Sequence, residues 1–235
     1  MKRFLKILLP ILLVLLLAAL GGFLLAQRDN LKALQNSLQY TTQELEDQLA
    51  ENHQAVQDAV AQFPNLTVRD LTDEEKESLQ KGQITADELA QALTKPVQNN
   101  AETQGNAEEA PSAAEQQFQQ DLSALIAKVY VLREEYTIAL GNLQSQAYGE
   151  YQSFPANQRK STALVKWASG YLGQATAMEK ECDAKMDELI DQIESLLKAN
   201  GKDLSTSDAI YEAYLNEKSI KKSWYLSKLK ERGLL

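Results

Sequence analysis

Few side chains in this sequence are suited to nucleophilic, acid–base or metal chemistry. The chain contains one histidine, His53, and one cysteine, Cys182, far apart in sequence. A transition-metal site needs several such ligands at short spacing. We therefore interpret His53 as a surface residue and Cys182 as a small apolar side chain packed in a helix seam.

Carboxylates are abundant, but they fall on the outward faces of predicted helices, as in Glu134-Glu135, Glu179-Glu181 and Asp187-Glu188. Calcium would require alternating oxygen ligands around a glycine in a loop, and no segment has that pattern. The sequence also has no glycine-rich phosphate loop and no nucleophile elbow. We expect a protein that is not an enzyme and that binds no cofactor or metal.

Two clusters of aromatic residues are candidates for binding rather than catalysis. The first lies near the predicted turn between two long helices, and it contains Tyr148, Tyr151, Phe154 and Trp167, with Tyr171 close by. These rings either form a contact patch for a partner or a glycan, or they plug the turn. Solvent exposure separates the two interpretations.

The second cluster combines aromatic and basic residues in the C-terminal segment. Trp224 and Tyr225 are surrounded by basic side chains, among them Lys221, Lys222, Lys228 and Lys230. One interpretation is a surface for an anionic envelope polymer, a lipid headgroup or the acidic middle of a neighbouring copy. The other is a helix whose lysines face water while Trp224 packs inward.

The charge is distributed unevenly along the chain. The net charge is -9, but residues 33–216 carry thirteen basic and thirty acidic side chains, whereas residues 217–235 carry six basic and two acidic ones. The acidic middle would be repelled by nucleic acid and by anionic lipid. Nucleic-acid binding by the main body is therefore not expected.

The N-terminus predicts attachment to a membrane. Residues 7–26 form an uncharged run of the length that spans a bilayer, and the basic residues Lys2, Arg3 and Lys6 precede it in residues 1–6. A cleavable secretory signal is the alternative, with Ala19-Leu20-Gly21 as the candidate cleavage site and a secreted helical protein as the product. The run is longer than a usual signal core, which favours an uncleaved anchor. The excess of basic residues before the run predicts a cytoplasmic N-terminus and an extracytoplasmic C-terminal region of a single-pass membrane protein.

The chain after the anchor predicts an all-α protein. Residues 27–63 carry a thin apolar stripe at helical spacing, interrupted by Thr41, Thr42, Gln48 and Asn52, and we expect one helical stalk there. Residues 64–94 contain two capping boxes, Thr72 with Glu75 and Thr85 with Glu88, which predict a short helical hairpin around Gly82. In about twenty residues with the core Gly82-x-Ile84-Thr85-x-x-Glu88, this hairpin resembles the one that closes SHOCT-type bacterial domains. No function is carried over from that resemblance.

The remaining residues predict a linker and a distal helical module. Residues 95–114 have almost no large apolar side chains, which predicts a flexible linker. In residues 115–235, a heptad seam from Phe118 to Leu143 and a second seam from Leu164 to Leu196 predict an antiparallel coiled-coil-like hairpin. A turn centred on Phe154 and Pro155 would place Gly141 opposite Ala168 at a narrow point. A third helix from Leu204 onward is expected to cover the open end of the hairpin.

These features together predict a membrane-anchored, extracytoplasmic structural or adaptor protein of the bacterial cell envelope. Its helices would contact another protein or a second copy of the chain. An accessory or regulatory subunit of an envelope enzyme or transporter is the alternative.

Overall fold

The computed structural model describes residues 28–63, 66, 68–95, 112–155 and 162–231. In these ranges the chain forms seven helices and no strand, which confirms the all-α class. They are α1 (Arg28–Gln39), α2 (Thr42–Val60), α3 (Asp73–Gln80), α4 (Ala86–Leu93), α5 (Ala113–Ser153), α6 (Thr162–Ala199) and α7 (Ser205–Glu231). The predicted anchor and residues 96–111 of the predicted linker lie outside the described residues. Among the described helices, none combines the length and the apolar character that crossing a bilayer demands.

The chain divides into two compact units. Unit 1 takes its described residues from 28–59 and 208–231, so it contains α1, α2 and most of α7. Unit 2 runs from Val60 to Ser207 and contains the four helices between them. The C-terminal helix is thus grouped with the N-terminal helices, whereas the sequence predicted that it would cover the hairpin of residues 115–235.

Hydrogen bonds from side chains of α2 and α7 show how these two helices are paired. Three hydrogen bonds join the two helices: Asn52 Nδ2 donates to the carbonyl oxygen of Ala213 at 2.8 Å, Trp224 Nε1 to Glu46 Oε1 at 2.9 Å, and Thr42 Oγ1 to Glu231 Oε1 at 3.0 Å. Residue numbers rise along one helix as they fall along the other. The two helices are therefore antiparallel.

A fourth hydrogen bond shows that α1 turns back on α2. Ser227 Oγ donates to the carbonyl oxygen of Ser37 at 3.1 Å. Along α7, Ser227 lies between Trp224, which bonds to Glu46, and Glu231, which bonds to Thr42. Ser37 of α1 therefore lies beside the first turns of α2. This is possible only if the chain reverses direction between Ser37 and Thr42. Unit 1 is therefore a bundle of three helices and differs from the uninterrupted stalk helix predicted for residues 27–63.

The reversal has a local cause at Thr41. The Glu44 N–H donates to Thr41 Oγ1 at 3.2 Å, and the Thr41 N–H donates to Glu44 Oε2 at 2.7 Å. This reciprocal pair is a capping box, which satisfies backbone donors at the start of α2 and ends the preceding helix. These hydrogen bonds lower the pKa of the Glu44 carboxyl.

The short hairpin of α3 and α4 confirms the prediction made from its two capping boxes. Thr72 and Thr85 are the N-caps, and both boxes are complete. Gly82, between the helices, has φ of +66°, a left-handed conformation that glycine adopts at little cost. Leu89 and Leu93 of α4 are buried in the core of unit 2, where α4 packs on α5.

The two long helices α5 and α6 pack against each other as an antiparallel hairpin. Trp167 pairs with Glu150, and Lys202, just after α6, pairs with Glu115. This register places Gly141 opposite Thr176, so the predicted pairing of Gly141 with Ala168 is wrong. The residues that face α5 are thus shifted by eight positions along α6 from the predicted pairing.

The predicted narrowing of the hairpin is also wrong. A Cβ atom added to Gly141, Gly170 or Gly173 would meet no other atom within 4 Å, apart from the immediate surroundings on its own helix. These glycines therefore do not bring the two backbones together. The seam of α6 runs through buried Cys182, Met186, Ile190, Ile193 and Leu197, so Ile190 and Leu197 take the places predicted for Leu189 and Leu196.

Candidate functional site

The α5–α6 hairpin has a buried half and an exposed half. Most side chains of α5 from Phe118 to Leu132 are buried, and the ring of Phe63 packs edge-on against that of Phe118 at 5.8 Å between centroids. From residue 133 to the end of α5, Leu143 is the single buried residue, and no described side chain of α6 before Cys182 is buried. We call this exposed half, residues 133–153 and 162–181, the arm.

The end of the arm carries a cluster of aromatic rings centred on Trp167. Its ring centroid lies 5.9 Å from that of Tyr151, 6.0 Å from that of Phe154 and 5.3 Å from that of Tyr171. We call these four residues and Tyr148 the aromatic tip. The structure thus brings together rings from both helices and from the start of the turn, as the sequence predicted.

None of the five residues of the aromatic tip is buried. Tyr148 is 38% exposed, the other four are half-buried, and Leu172 beside them is 66% exposed. Rings that only plugged the turn would be covered. The exposure therefore leaves an apolar surface with which the tip can contact a partner.

Hydrogen bonds to Glu150 connect the two helices at the tip. Trp167 Nε1 donates to Glu150 Oε2 at 3.2 Å. Burial, followed by the hydrogen bond and the charge of Glu150, raises the pKa of the Tyr171 hydroxyl. Glu150 of α5 thus interacts with two aromatic residues of α6, Trp167 and Tyr171.

The C-terminal cluster is engaged in contacts within unit 1. Trp224 donates to Glu46, the Lys228 ammonium lies 5.3 Å from the centroid of the Trp224 ring, and the ring of Tyr225 is perpendicular to it at 5.1 Å. Burial raises the pKa of Tyr225. These contacts leave Trp224 half-buried.

Two lysines of this cluster, Lys221 and Lys228, form ion pairs with carboxylates of the same helix. Lys221 Nζ lies 2.8 Å from Glu217 Oε1, and that carboxylate side chain is only 8% exposed. Lys228 also pairs with Glu231 at 3.5 Å, and Lys222 is half-buried on the same helix. The side chain of Lys230 lies outside the described residues.

A polar groove in unit 1 is a candidate site that the sequence analysis did not identify. It has a volume of about 490 Å³ and is lined by α1, α2 and α7. Its residues recur at intervals of three or four, as in Lys32, Asn36 and Tyr40 of α1. The available signal was the polar residues Gln48 and Asn52, which interrupt the apolar stripe of α2.

The lone histidine and cysteine occupy ordinary positions. His53 is half-buried, and its Nε2 lies 3.2 Å from the side-chain amide nitrogen of Gln57. Cys182 is buried in the α6 seam, as predicted. Within the described ranges, no three His, Cys, Asp or Glu side chains are grouped as metal ligands.

The chain matches no protein-family model, no curated protein and no solved structure.

Proposed function

We propose that this protein is a membrane-anchored adaptor of the bacterial cell envelope, with the arm exposed outside the membrane to contact another protein. Its N-terminal run of residues 7–26 would be the anchor, with the N-terminus in the cytoplasm. The observation that carries the proposal is the exposure of the aromatic tip. Aromatic side chains are the residues most enriched at protein–protein contacts.

The packing of unit 1 favours a different protein over a second copy as the partner. An exposed apolar seam on the predicted stalk would have favoured self-association. Instead, the seam residues Leu45 and Val56 are buried in unit 1, as are Ile210 and Ala213 of α7. Large exposed apolar side chains remain in both units, Leu38 and Leu215 in unit 1 and Tyr148 and Leu172 on the arm. On the arm alone they lie beside a cluster of half-buried aromatic rings, which favours a dedicated partner there.

Site-specific photo-cross-linking in native cells tests this proposal. The full-length chain would carry a photo-reactive amino acid in place of Leu172, which lies beside the tip and is 66% exposed. The matched control carries it in place of Leu38, which is 65% exposed on α1. We expect an adduct with another envelope protein from position 172 but not from position 38.

A second variant connects the adduct with the aromatic tip. Trp167→Ala removes the central ring of the tip. We expect it to reduce the yield of the cross-linked adduct from position 172 at least about tenfold, because central aromatic contacts each contribute about 2 kcal/mol or more to binding. Equal yields from positions 172 and 38 would contradict the proposal. An adduct between two copies of the chain would replace it with self-assembly.

An accessory subunit of an envelope enzyme or transporter is the more specific form of the same proposal. The identity of the protein cross-linked at position 172 decides it. Recovery of such an enzyme or transporter, with loss of its activity in cells that carry Trp167→Ala, would assign this role.

A further inference from the structure

The carboxylate of Glu150 lies beside the rings of the aromatic tip. Glu150 is exposed on α5, and its Oε2 accepts a hydrogen bond from Trp167 Nε1 at 3.2 Å. A hydrogen bond from the Tyr171 hydroxyl also reaches this carboxylate, and the side-chain amide nitrogen of Gln146 lies 3.5 Å from its Oε1. All three donors are neutral. The carboxylate therefore keeps its negative charge next to an aromatic surface.

No described residue neutralises this charge. Glu181, further along the hairpin, has a cationic partner, since its Oε1 lies 2.9 Å from Lys185 Nζ. Among the described residues, none forms an ion pair with Glu150, and Lys166 near it on α6 is exposed. The tip thus presents one uncompensated negative charge among its rings.

A partner that covers the aromatic tip also displaces water from Glu150. An ionised carboxylate that loses water without gaining an opposite charge opposes binding. The neutral donors of Trp167 and Tyr171 replace part of the lost hydration, but they do not cancel the charge. Binding at the tip is therefore favoured by a partner that brings a cation to Glu150.

We propose that the partner of the arm is a protein surface that places an arginine against Glu150 and the rings of the tip. A guanidinium can donate two hydrogen bonds to a carboxylate, and its flat face can stack on an aromatic ring, for which tryptophan is the best partner. The half-buried ring of Trp167 lies next to the carboxylate. Arginine is also enriched at protein–protein contacts, whereas lysine is depleted. The inference rests on the proposed function of the arm and gives the chemistry of its partner.

The photo-cross-linking assay at position 172 tests this chemistry when it is combined with Glu150→Gln. Glutamine removes the charge and keeps an oxygen that can accept from Trp167 Nε1. We expect a yield about fivefold lower than in the parent chain, the effect of one partly desolvated charge pair. The matched control is Glu181→Gln, which removes the same charge about 21 Å from Trp167 along α6 and is expected to leave the yield unchanged.

Salt distinguishes a lost charge from a displaced ring. The assay is repeated on membranes isolated from the cells, in about 0.1 M and about 1 M sodium chloride. The Debye length falls from about 10 Å to about 3 Å over this range, so the difference between the parent chain and Glu150→Gln should shrink. A difference of the same size at both salt concentrations would assign it to a displaced Trp167 and would overturn the proposal.

The cross-linked peptide locates the cation on the partner. Mass spectrometry of the adduct identifies the partner residue that is reached from position 172, and we expect an arginine beside it on the partner surface. Replacing that arginine by glutamine should lower the yield about fivefold in the parent chain and have no further effect in Glu150→Gln. Additive losses in the doubly substituted pair would show that the two groups do not interact, which contradicts the proposal.

A cation from this chain is the competing explanation. The sequence between α5 and α6 contains Arg159 and Lys160. We expect Arg159→Gln and Lys160→Gln to give the yield of the parent chain. A loss in either variant that equals the loss in Glu150→Gln, with no further loss when the two are combined, would overturn the proposal.

The outcomes separate this inference from the proposed function. An adduct at position 172 with equal yields from the parent chain and Glu150→Gln would exclude the arginine and leave the adaptor function standing. Equal losses in Glu150→Gln and Glu181→Gln would assign the effect to the total charge of the arm and would also exclude it. No adduct from the parent chain would contradict both.

Discussion

The indole nitrogen of Trp167 on α6 donates a hydrogen bond to the carboxylate of Glu150 on α5, with 3.2 Å between nitrogen and oxygen. This bond connects the two helices at the end of the arm, where no described side chain is fully buried. The ring of Trp167 also contacts the rings of Tyr151, Phe154 and Tyr171. We expect the hydrogen bond to Glu150 to contribute to the position of the indole beside these ring contacts.

Removing this carboxylate is expected to loosen Trp167. In a Trp224→Phe background, Trp167 is the only tryptophan and its fluorescence reports the tip alone. We expect Glu150→Ala to increase quenching of Trp167 by acrylamide, because the indole is no longer held. Glu150→Gln keeps an oxygen acceptor and should resemble the parent chain. Equal quenching in both variants would show that the hydrogen bond does not position the ring.

Two glycines are expected to respond in opposite directions to replacement by alanine. Gly82 has φ of +66°, so Gly82→Ala introduces strain and should lower the free energy of unfolding by about 1 kcal/mol. Gly141 lies within α5 with space for a Cβ atom, so Gly141→Ala should raise it by about 0.5–1 kcal/mol. Urea unfolding of both variants provides the measurement. A loss of stability in Gly141→Ala would mean that the two long helices approach more closely at this point.

The cap at Thr41 is expected to determine where α1 ends. Thr41→Ala removes the oxygen that accepts from the Glu44 N–H, and we expect a loss of about 1 kcal/mol in the free energy of unfolding. Thr41→Ser keeps the acceptor and is the control. Amide hydrogen exchange at the start of α2 should rise in the alanine variant alone. Equal exchange in both variants would assign the reversal of the chain to packing rather than to the cap.

An ion pair in unit 2 predicts a pH dependence of stability. Arg69 Nη1 and Nη2 donate to the two oxygens of Glu75 at 2.7 and 2.6 Å, and these bonds lower the pKa of Glu75 from its ordinary value of 4.5. A lowered pKa in the folded state means that the stabilisation is complete above pH 4.5 and is lost as the pH falls through the lowered value. We expect the pair to contribute about 1 kcal/mol.

Glu75→Gln is the variant that isolates this contribution. It should be less stable than the parent chain at pH 7 and should approach it as the pH falls below the lowered pKa, as measured by urea unfolding at both ends of the range. Glu77→Gln is the control, because Glu77 pairs with Lys81 on the exposed surface of α3. A constant difference between Glu75→Gln and the parent chain at all pH values would exclude titration of Glu75 as its cause.

Local features of the fold were predictable from the sequence because their causes are local. The capping boxes at Thr72 and Thr85 involve residues three positions apart, so the starts of α3 and α4 can be recognised from the sequence alone. The heptad seam predicted the long helix α5, and the position of Cys182 in the seam of α6 was also correct. Thr41 and Glu44 have the same capping-box spacing, but this signal was overlooked. Because the apolar stripe continues on both sides of Thr41, the sequence analysis predicted one continuous helix.

The register of the hairpin and the partner of α7 were decided by the tertiary structure alone. The sequence determined that the chain is helical, where most helices begin and end, and which rings lie near the turn. It did not determine the register, because several lengths of turn satisfy the same seams, nor the partner of α7, because an amphipathic face can be buried against any matching surface. Contacts between residues far apart in the chain made those choices: Trp167 with Glu150 and Lys202 with Glu115 fix the register. Asn52 with Ala213 and Ser227 with Ser37 join α7 to the N-terminal helices.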